Sequence, residues 1–187
     1  MKQPKGVEEY IEMCQGYDNS QFANLIKKHL PANAEMLEIG MGPGIDSNWL
    51  SKDYKVTGSD YSSEFIKRAK KRFDNGVFTI LDAVKLDIDK KFDAIYSCKV
   101  YQYFEIDLVE SALCRQHELL RESGIIIHSF WIGDSVFEQD DVRAFCHNKD
   151  RLTEIIEKNY KILEEIVYEE FEPNDSLFVL ARKVGRK

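Results

Sequence analysis

Short apolar runs of strand length alternate with amphipathic stretches of helix length, and this alternation narrows the fold more than any other feature of the chain. NSQFANLIKKHLP reads as a helix with Phe22, Leu25, Ile26 and Leu30 on one face, Asn19 or Ser20 as its cap and Pro31 near its end. EMLEIG, YKVTGSD, GVFTILD, FDAIYSCK and IIIHSFW read as strands. IDSNWLSK and SSEFIKRAKKRF read as helices, the second capped by Ser62 or Ser63 and facing inward through Phe65, Ile66, Ala69 and Phe73. A longer helix is predicted from Asp107, with Glu110 completing a capping box. It turns Leu108, Ala112, Leu119 and Leu120 inward and stops at Gly124. NKDRLTEIIEKN gives a last helix, and two strand-like runs around EPNDS predict a closing antiparallel hairpin. The pattern is that of an α/β protein: a doubly wound, mostly parallel sheet with helices on both faces and an antiparallel C-terminal hairpin. Such sheets bind ligands beyond the carboxyl ends of their strands, where the strand order reverses.

At the end of the first predicted strand, Glu38-Ile39-Gly40-Met41-Gly42-Pro43-Gly44 places three glycines in five positions. Gly40 suits a tight turn, Gly42 lets a ligand approach the main chain, and amides at the start of the next helix point toward that ligand. The dinucleotide fingerprint G-x-G-x-x-G would need a glycine where Ile45 stands. Glu38, an acid aimed into the crevice, suits a cation better than a pyrophosphate. A glycine-rich loop alone can be purely structural. Asp60 and Asp82 at the ends of the next two strands add weight: the first can accept from ribose hydroxyls, the second from an exocyclic amine.

A formal net charge of −7 argues against a nucleic acid partner, which calls for a basic face. Cys14, Cys98, Cys114 and Cys146 lie far apart with no C-x-x-C pair, as expected of free thiols in a reducing compartment. No apolar run approaches membrane-spanning length, and the start lacks a signal core, so a cytoplasmic protein without a membrane partner is expected. His29, His117 and His147 form no ligand cluster with acids at a recognisable spacing, and no metal is assigned.

LEIGMGPG, VTGSDYSSEFIKRA, TILDAVKL and FDAIYSCKVYQYF together resemble the consecutive motifs of class I S-adenosylmethionine-dependent methyltransferases, and ALCRQHELLRESGIIIHSF resembles that family's next helix, turn and strand. The resemblance runs over roughly residues 20–183. It implies a seven-stranded sheet, six strands parallel and the last antiparallel, in a single domain over 1–187 whose first 30 residues form a helical segment able to act as a lid. It also implies S-adenosylmethionine as cofactor. Glu38 and the loop Gly40, Gly42 and Gly44 would border its methionine part, Asp60 its ribose and Tyr61 the face of its adenine. Asp82 and the Ala83 amide would serve the adenine edge, and Cys98 and Lys99 the methionyl side.

The family's small-molecule members often carry a histidine pair just past the fourth strand, where this chain has Tyr101 and Gln102. These two and His128 are the candidate catalytic residues, with Phe130, Trp131, Tyr10 and Tyr17 as further candidates for the acceptor wall. The acidic run Asp134, Glu138, Asp140 and Asp141 reads as a solvated face, with an amine-bearing acceptor as the other meaning. The expected activity is methyl transfer to a small-molecule acceptor by a monomer or weak dimer. Two rival readings are a non-catalytic module that keeps the cofactor pocket, and a nicotinamide-dependent oxidoreductase, against which Ile45 and the lack of a second domain count.

Overall fold

A computed structural model describes residues 6–139 and 142–185. Asp140 and Asp141 of the acidic run lie outside the described residues. The elements in chain order are α1 (Val7–Met13), a 3-10 turn (Ser20–Phe22), α2 (Ala23–His29), β1 (Glu35–Ile39), α3 (Ile45–Leu50), β2 (Lys55–Asp60), α4 (Ser63–Arg72) and β3 (Val77–Ile80). Then come β4 (Phe92–Cys98), a second 3-10 turn (Tyr101–Tyr103), α5 (Ile106–Leu119), β5 (Leu120–Trp131), β6 (Val136–Gln139), β7 (Val142–Phe145), α6 (Lys149–Glu157), β8 (Tyr160–Tyr168) and β9 (Ser176–Lys183).

Seven strands form one sheet in the order β3-β2-β1-β4-β5-β9-β8. β1 to β5 pair in parallel, whereas β9 runs antiparallel to both β5 and β8. This is the expected doubly wound sheet with its closing hairpin. The strand order reverses between β1 and β4.

The central strands are apolar throughout because both of their faces are covered. On β5, Ile126 and Phe130 join one core with Val109 and Leu113 of α5 and Leu152 and Ile156 of α6. Ile125 and Ile127 pack on the opposite face with Phe22, Ile26 and Leu50. α4 adds a smaller cluster of Ile66 and Ala69 against Met41. Truncating one of the fully buried isoleucines to alanine costs about 2–5 kcal/mol.

Several local expectations are corrected. Asn19 occupies the N-cap of the first 3-10 turn without a side-chain cap bond, and Asp18 Oδ1 accepts from the Ser20 amide at 2.8 Å. The capping box on α5 does not form, because the helix starts one residue earlier with Glu105 at its N-cap and no side-chain cap bond. Leu108 is 46% exposed, and Val109 and Leu113 are buried beside Ala112 and Leu119. Gly124 does not stop α5; the helix ends at Leu119 and Gly124 lies within β5. The stretch after β5 includes the small β6–β7 antiparallel hairpin, and its described acids Asp134 and Glu138 are exposed, as a solvated face requires. Ser62 and Asn148 cap α4 and α6, accepting from the Phe65 and Arg151 amides.

Candidate functional site

The loop from Gly40 to Gly44 leaves β1 at the reversal of strand order and is bent by three glycines with φ of +65°, +51° and +79°. This left-handed backbone is strained for any side chain. A Cβ on Gly40 would also lie 2.4 Å from the Val100 side chain. β2 holds the loop from below: the Met41 amide donates to the Ser59 carbonyl at 2.9 Å, and the Gly42 amide donates to Asp60 Oδ2 at 2.9 Å. Asp60 Oδ1 accepts from the Ser62 amide at 2.8 Å, so one carboxylate ties the glycine loop to the start of α4. Burial raises its pKa despite these bonds.

Two joined depressions flank this loop. The larger, of about 430 Å³, is lined by Asp60, Tyr61, Asp82, Ala83, Val100 and Phe104 among others. That volume lies within the range of ligand sites. Tyr61 stands at its rim, 79% exposed. Asp82 Oδ1 accepts from the Lys85 and Val84 amides, each at 2.9 Å, and those donors hold its carboxyl below the ordinary range. The second depression, about 120 Å³, lies beyond the loop and is lined by Tyr17, Glu38, Asp46, Cys98, Gln102, Trp131 and Glu170 among others. Gly40, Gly42, Tyr10, Cys98, Lys99 and Tyr103 line both.

The walls of the second depression are acidic. Glu38, 2% exposed, accepts from the Ser47 hydroxyl, and burial pushes its pKa up to about 8, with the Asp46 charge adding to the rise. Asp46 accepts from Tyr96 at 2.8 Å, Trp49 Nε1 at 2.9 Å and Asn19 at 3.4 Å, and its pKa is also raised by burial. The Cys98 thiol is raised to about 12 by burial; it sits 2.7 Å from Asn19 Nδ2 and 3.1 Å from both the Tyr17 and Ser129 hydroxyls. Lys99 takes φ +53°. Its ammonium pairs with Glu170 at 2.8 Å and donates to Ser176 at 2.6 Å and to the Phe130 carbonyl at 3.1 Å.

The candidate catalytic trio divides. Tyr101 is fully buried in the core and donates to the Ala83 carbonyl at 3.2 Å. His128, 1% exposed, lies between Ser97 on Nδ1 and Gln116 on Nε2, both at 2.8 Å, and burial lowers its pKa to about 3. Gln116 Nε2 in turn donates to the Tyr101 hydroxyl at 2.6 Å. The chain is self-consistent with neutral His128 carrying its proton on Nε2, an assignment drawn from its partners. Tyr101 and His128 are therefore buried supports of the Ala83 wall, not acceptor contacts, because Gln116 of α5 satisfies them both. Phe130 is core as well. Gln102, Trp131, Tyr10 and Tyr17 do line the second depression.

Asp46, Asn19 and Glu170 escaped the sequence reading. Asp46 stood in view directly after Ile45 in the first turn of α3, whereas Glu170 reaches the site only through the β8–β9 hairpin. Among the described residues no group of three or more His, Cys, Asp or Glu is arranged to hold a metal ion, and no helix is long and apolar enough to cross a membrane.

Comparison with known proteins places this geometry in context. Residues 36–124 match the model of a methyltransferase domain. Protein 235L of Invertebrate iridescent virus 6, named as a methyltransferase, is 35% identical over 88 residues, 42% of this chain and 33% of its own length. The malonyl-[acyl-carrier protein] O-methyltransferase of Hamiltonella defensa is 31% identical over 96 residues, 50% of this chain and 36% of its own. The chain thus matches about a third of the length of these relatives. A crystal structure of an S-adenosylmethionine-dependent methyltransferase from Clostridium acetobutylicum superposes with a TM-score of 0.79 over 95% of this chain and 99% of that one, at 15% identity. The shared fold therefore extends well beyond the shared sequence.

Proposed function

We propose, on the premise that the chain carries the class I S-adenosylmethionine-dependent methyltransferase domain, that it transfers the methyl group of this cofactor to a small-molecule acceptor. One observation carries the reading. A bare, positively bent glycine loop separates two joined depressions, and carboxylates at consecutive strand ends rim them. The residues fit the group. A Cβ on Gly42 would point at the Tyr10 ring, 3.4 Å away, into the space where the two depressions meet. Each oxygen of Asp60 has one donor, and each keeps a further lone pair for a ribose hydroxyl. Asp82 and the Ala83 amide would serve the adenine edge and Tyr61 its face, while Glu38, Gly40, Gly44, Cys98 and Lys99 would border the methionyl part.

Bound there, the cofactor supplies a methyl group made electrophilic by a positively charged sulfur, which leaves as a neutral thioether. This chain's task is then to orient the acceptor and exclude water, which accounts for much of the rate gain in such reactions. Tyr10 of α1 and Tyr17 stand over the second depression, and residues 1–30 would act as its lid within a single domain. The proposal extends to a cytoplasmic monomer or weak dimer with neither membrane nor nucleic acid as partner, in keeping with the charge of −7.

Thermal shift and calorimetry with S-adenosylmethionine, S-adenosylhomocysteine and nicotinamide dinucleotides test the reading. The two adenosyl compounds should stabilise the protein, and Asp82→Ala should weaken them about tenfold, the loss of one hydrogen bond made by a charged acceptor. Stabilisation by dinucleotides alone would overturn the cofactor. Tight adenosyl binding with no methyl transfer across a broad acceptor screen would overturn the catalytic role.

A further inference from the structure

Gln102 sits in the 3-10 turn after β4, is 4% exposed and lines the second depression. Its carbonyl oxygen Oε1 is buried without a partner among the described residues. A buried acceptor left unmade is costly, and such groups in folded proteins normally meet a donor. No donor among the described residues reaches this one. Gln102 lines a cavity that also carries the carboxyl groups of Glu38, Asp46 and Glu170. The cation on that wall, Lys99, is committed to Glu170. The rings of Tyr17, Tyr103, Trp131 and Phe171 line the same cavity.

We propose that Gln102 Oε1 receives an N–H of the acceptor, which is an amine seated in this aromatic, acidic cavity. The proposal rests on the methyl-transfer reading and names its substrate class. A carboxylate acceptor would find no free cation on the cavity wall, because Lys99 is committed to Glu170. A hydroxyl acceptor would need a base to raise its nucleophilicity, and no histidine lines the cavity. An amine needs no cation, and its ammonium form gives up a proton far more readily than a hydroxyl does. Its nitrogen lone pair forms the new bond to the methyl carbon, the carbon–sulfur electron pair stays with sulfur, and the surplus N–H proton passes to water. Aromatic faces and carboxylates also hold the cationic form before it sheds its proton.

The test uses the protein loaded with S-adenosylhomocysteine and titrated near neutral pH with benzylamine, benzyl alcohol and benzoate, three probes of one shape. Benzylamine should bind about tenfold tighter than either of the others. Gln102→Met should raise the benzylamine Kd about tenfold while leaving S-adenosylhomocysteine affinity within about twofold, and Gln102→Glu, which keeps an acceptor oxygen, should preserve the preference. Equal or tighter binding of the alcohol or the acid, no benzylamine binding, or a preference that survives Gln102→Met would overturn the amine assignment alone. Failure of S-adenosylhomocysteine to bind the unmutated protein would overturn the cofactor reading and this proposal with it.

Discussion

Glu38 is the residue at which fold and chemistry meet. Its carboxyl titrates near 8 when buried in the folded chain and near 4.5 when exposed in the unfolded one. Between those values the folded state holds the extra proton, so the ligand-free protein should lose stability as pH rises through that window. Glu38→Gln should flatten this slope by a few kcal/mol between about pH 5 and 8, measured by denaturant unfolding; an unchanged slope would dissociate Glu38 from it. A cationic cofactor beside Glu38 favours the carboxylate, so calorimetric affinity for S-adenosylmethionine should tighten toward pH 8 in the native protein and lose that dependence in Glu38→Gln. His128 carries the opposite lesson. Replacing it with alanine strands Ser97 and Gln116 and should cost about 2–4 kcal/mol of stability, with the turnover per folded molecule little changed. A pH–rate profile that shifts in His128→Ala would contradict its placement in the core. The sequence offered His128 as the histidine nearest the site; its true role depends on Gln116, twelve residues away on another element. Asp46 was hidden for the same reason, since its partners Asn19, Trp49 and Tyr96 come together only in the fold.

Among the elements, the turn from β1 into α3 was legible because its causes are local. Glycines at Gly40, Gly42 and Gly44 mark a backbone that other residues avoid, and all three take positive φ. What the spacing did not reveal is that Asp60 serves this turn as a clamp, donating nothing but accepting from both the Gly42 and Ser62 amides. Asp60→Ala should therefore act twice. It should lower stability by about 1–3 kcal/mol through two stranded amides, and weaken adenosyl binding by a comparable amount through the lost ribose contact. Unfolding and calorimetry on the one variant separate the two; a loss in binding with no loss in stability would remove the clamp from the account. Short elements with weak periodicity were misread. The β6–β7 hairpin was not foreseen, and Leu108, expected on the inward face of α5, is 46% exposed.

At the scale of the whole molecule, the alternation of strand and helix was sufficient to anticipate a parallel sheet with a closing antiparallel hairpin, because burial on both faces forces β4 and β5 to be apolar at successive positions. The same topology puts the ends of β1, β2 and β4 around one crevice, so residues far apart in sequence such as Glu38, Asp60 and Cys98 line it together. Glu170 reaches this crevice from the opposite edge of the sheet through its pairing with Lys99, a long-range contact with no local signature. The central claim is that this crevice holds an adenosyl cofactor with its sulfur facing the Gln102 cavity. A crystal structure with S-adenosylhomocysteine tests it most directly. The account predicts adenine between Asp82 and Tyr61, ribose hydroxyls on Asp60, and sulfur near Cys98 opening toward Gln102; a nucleoside bound elsewhere, or a crevice closed by the protein's own side chains, would contradict it.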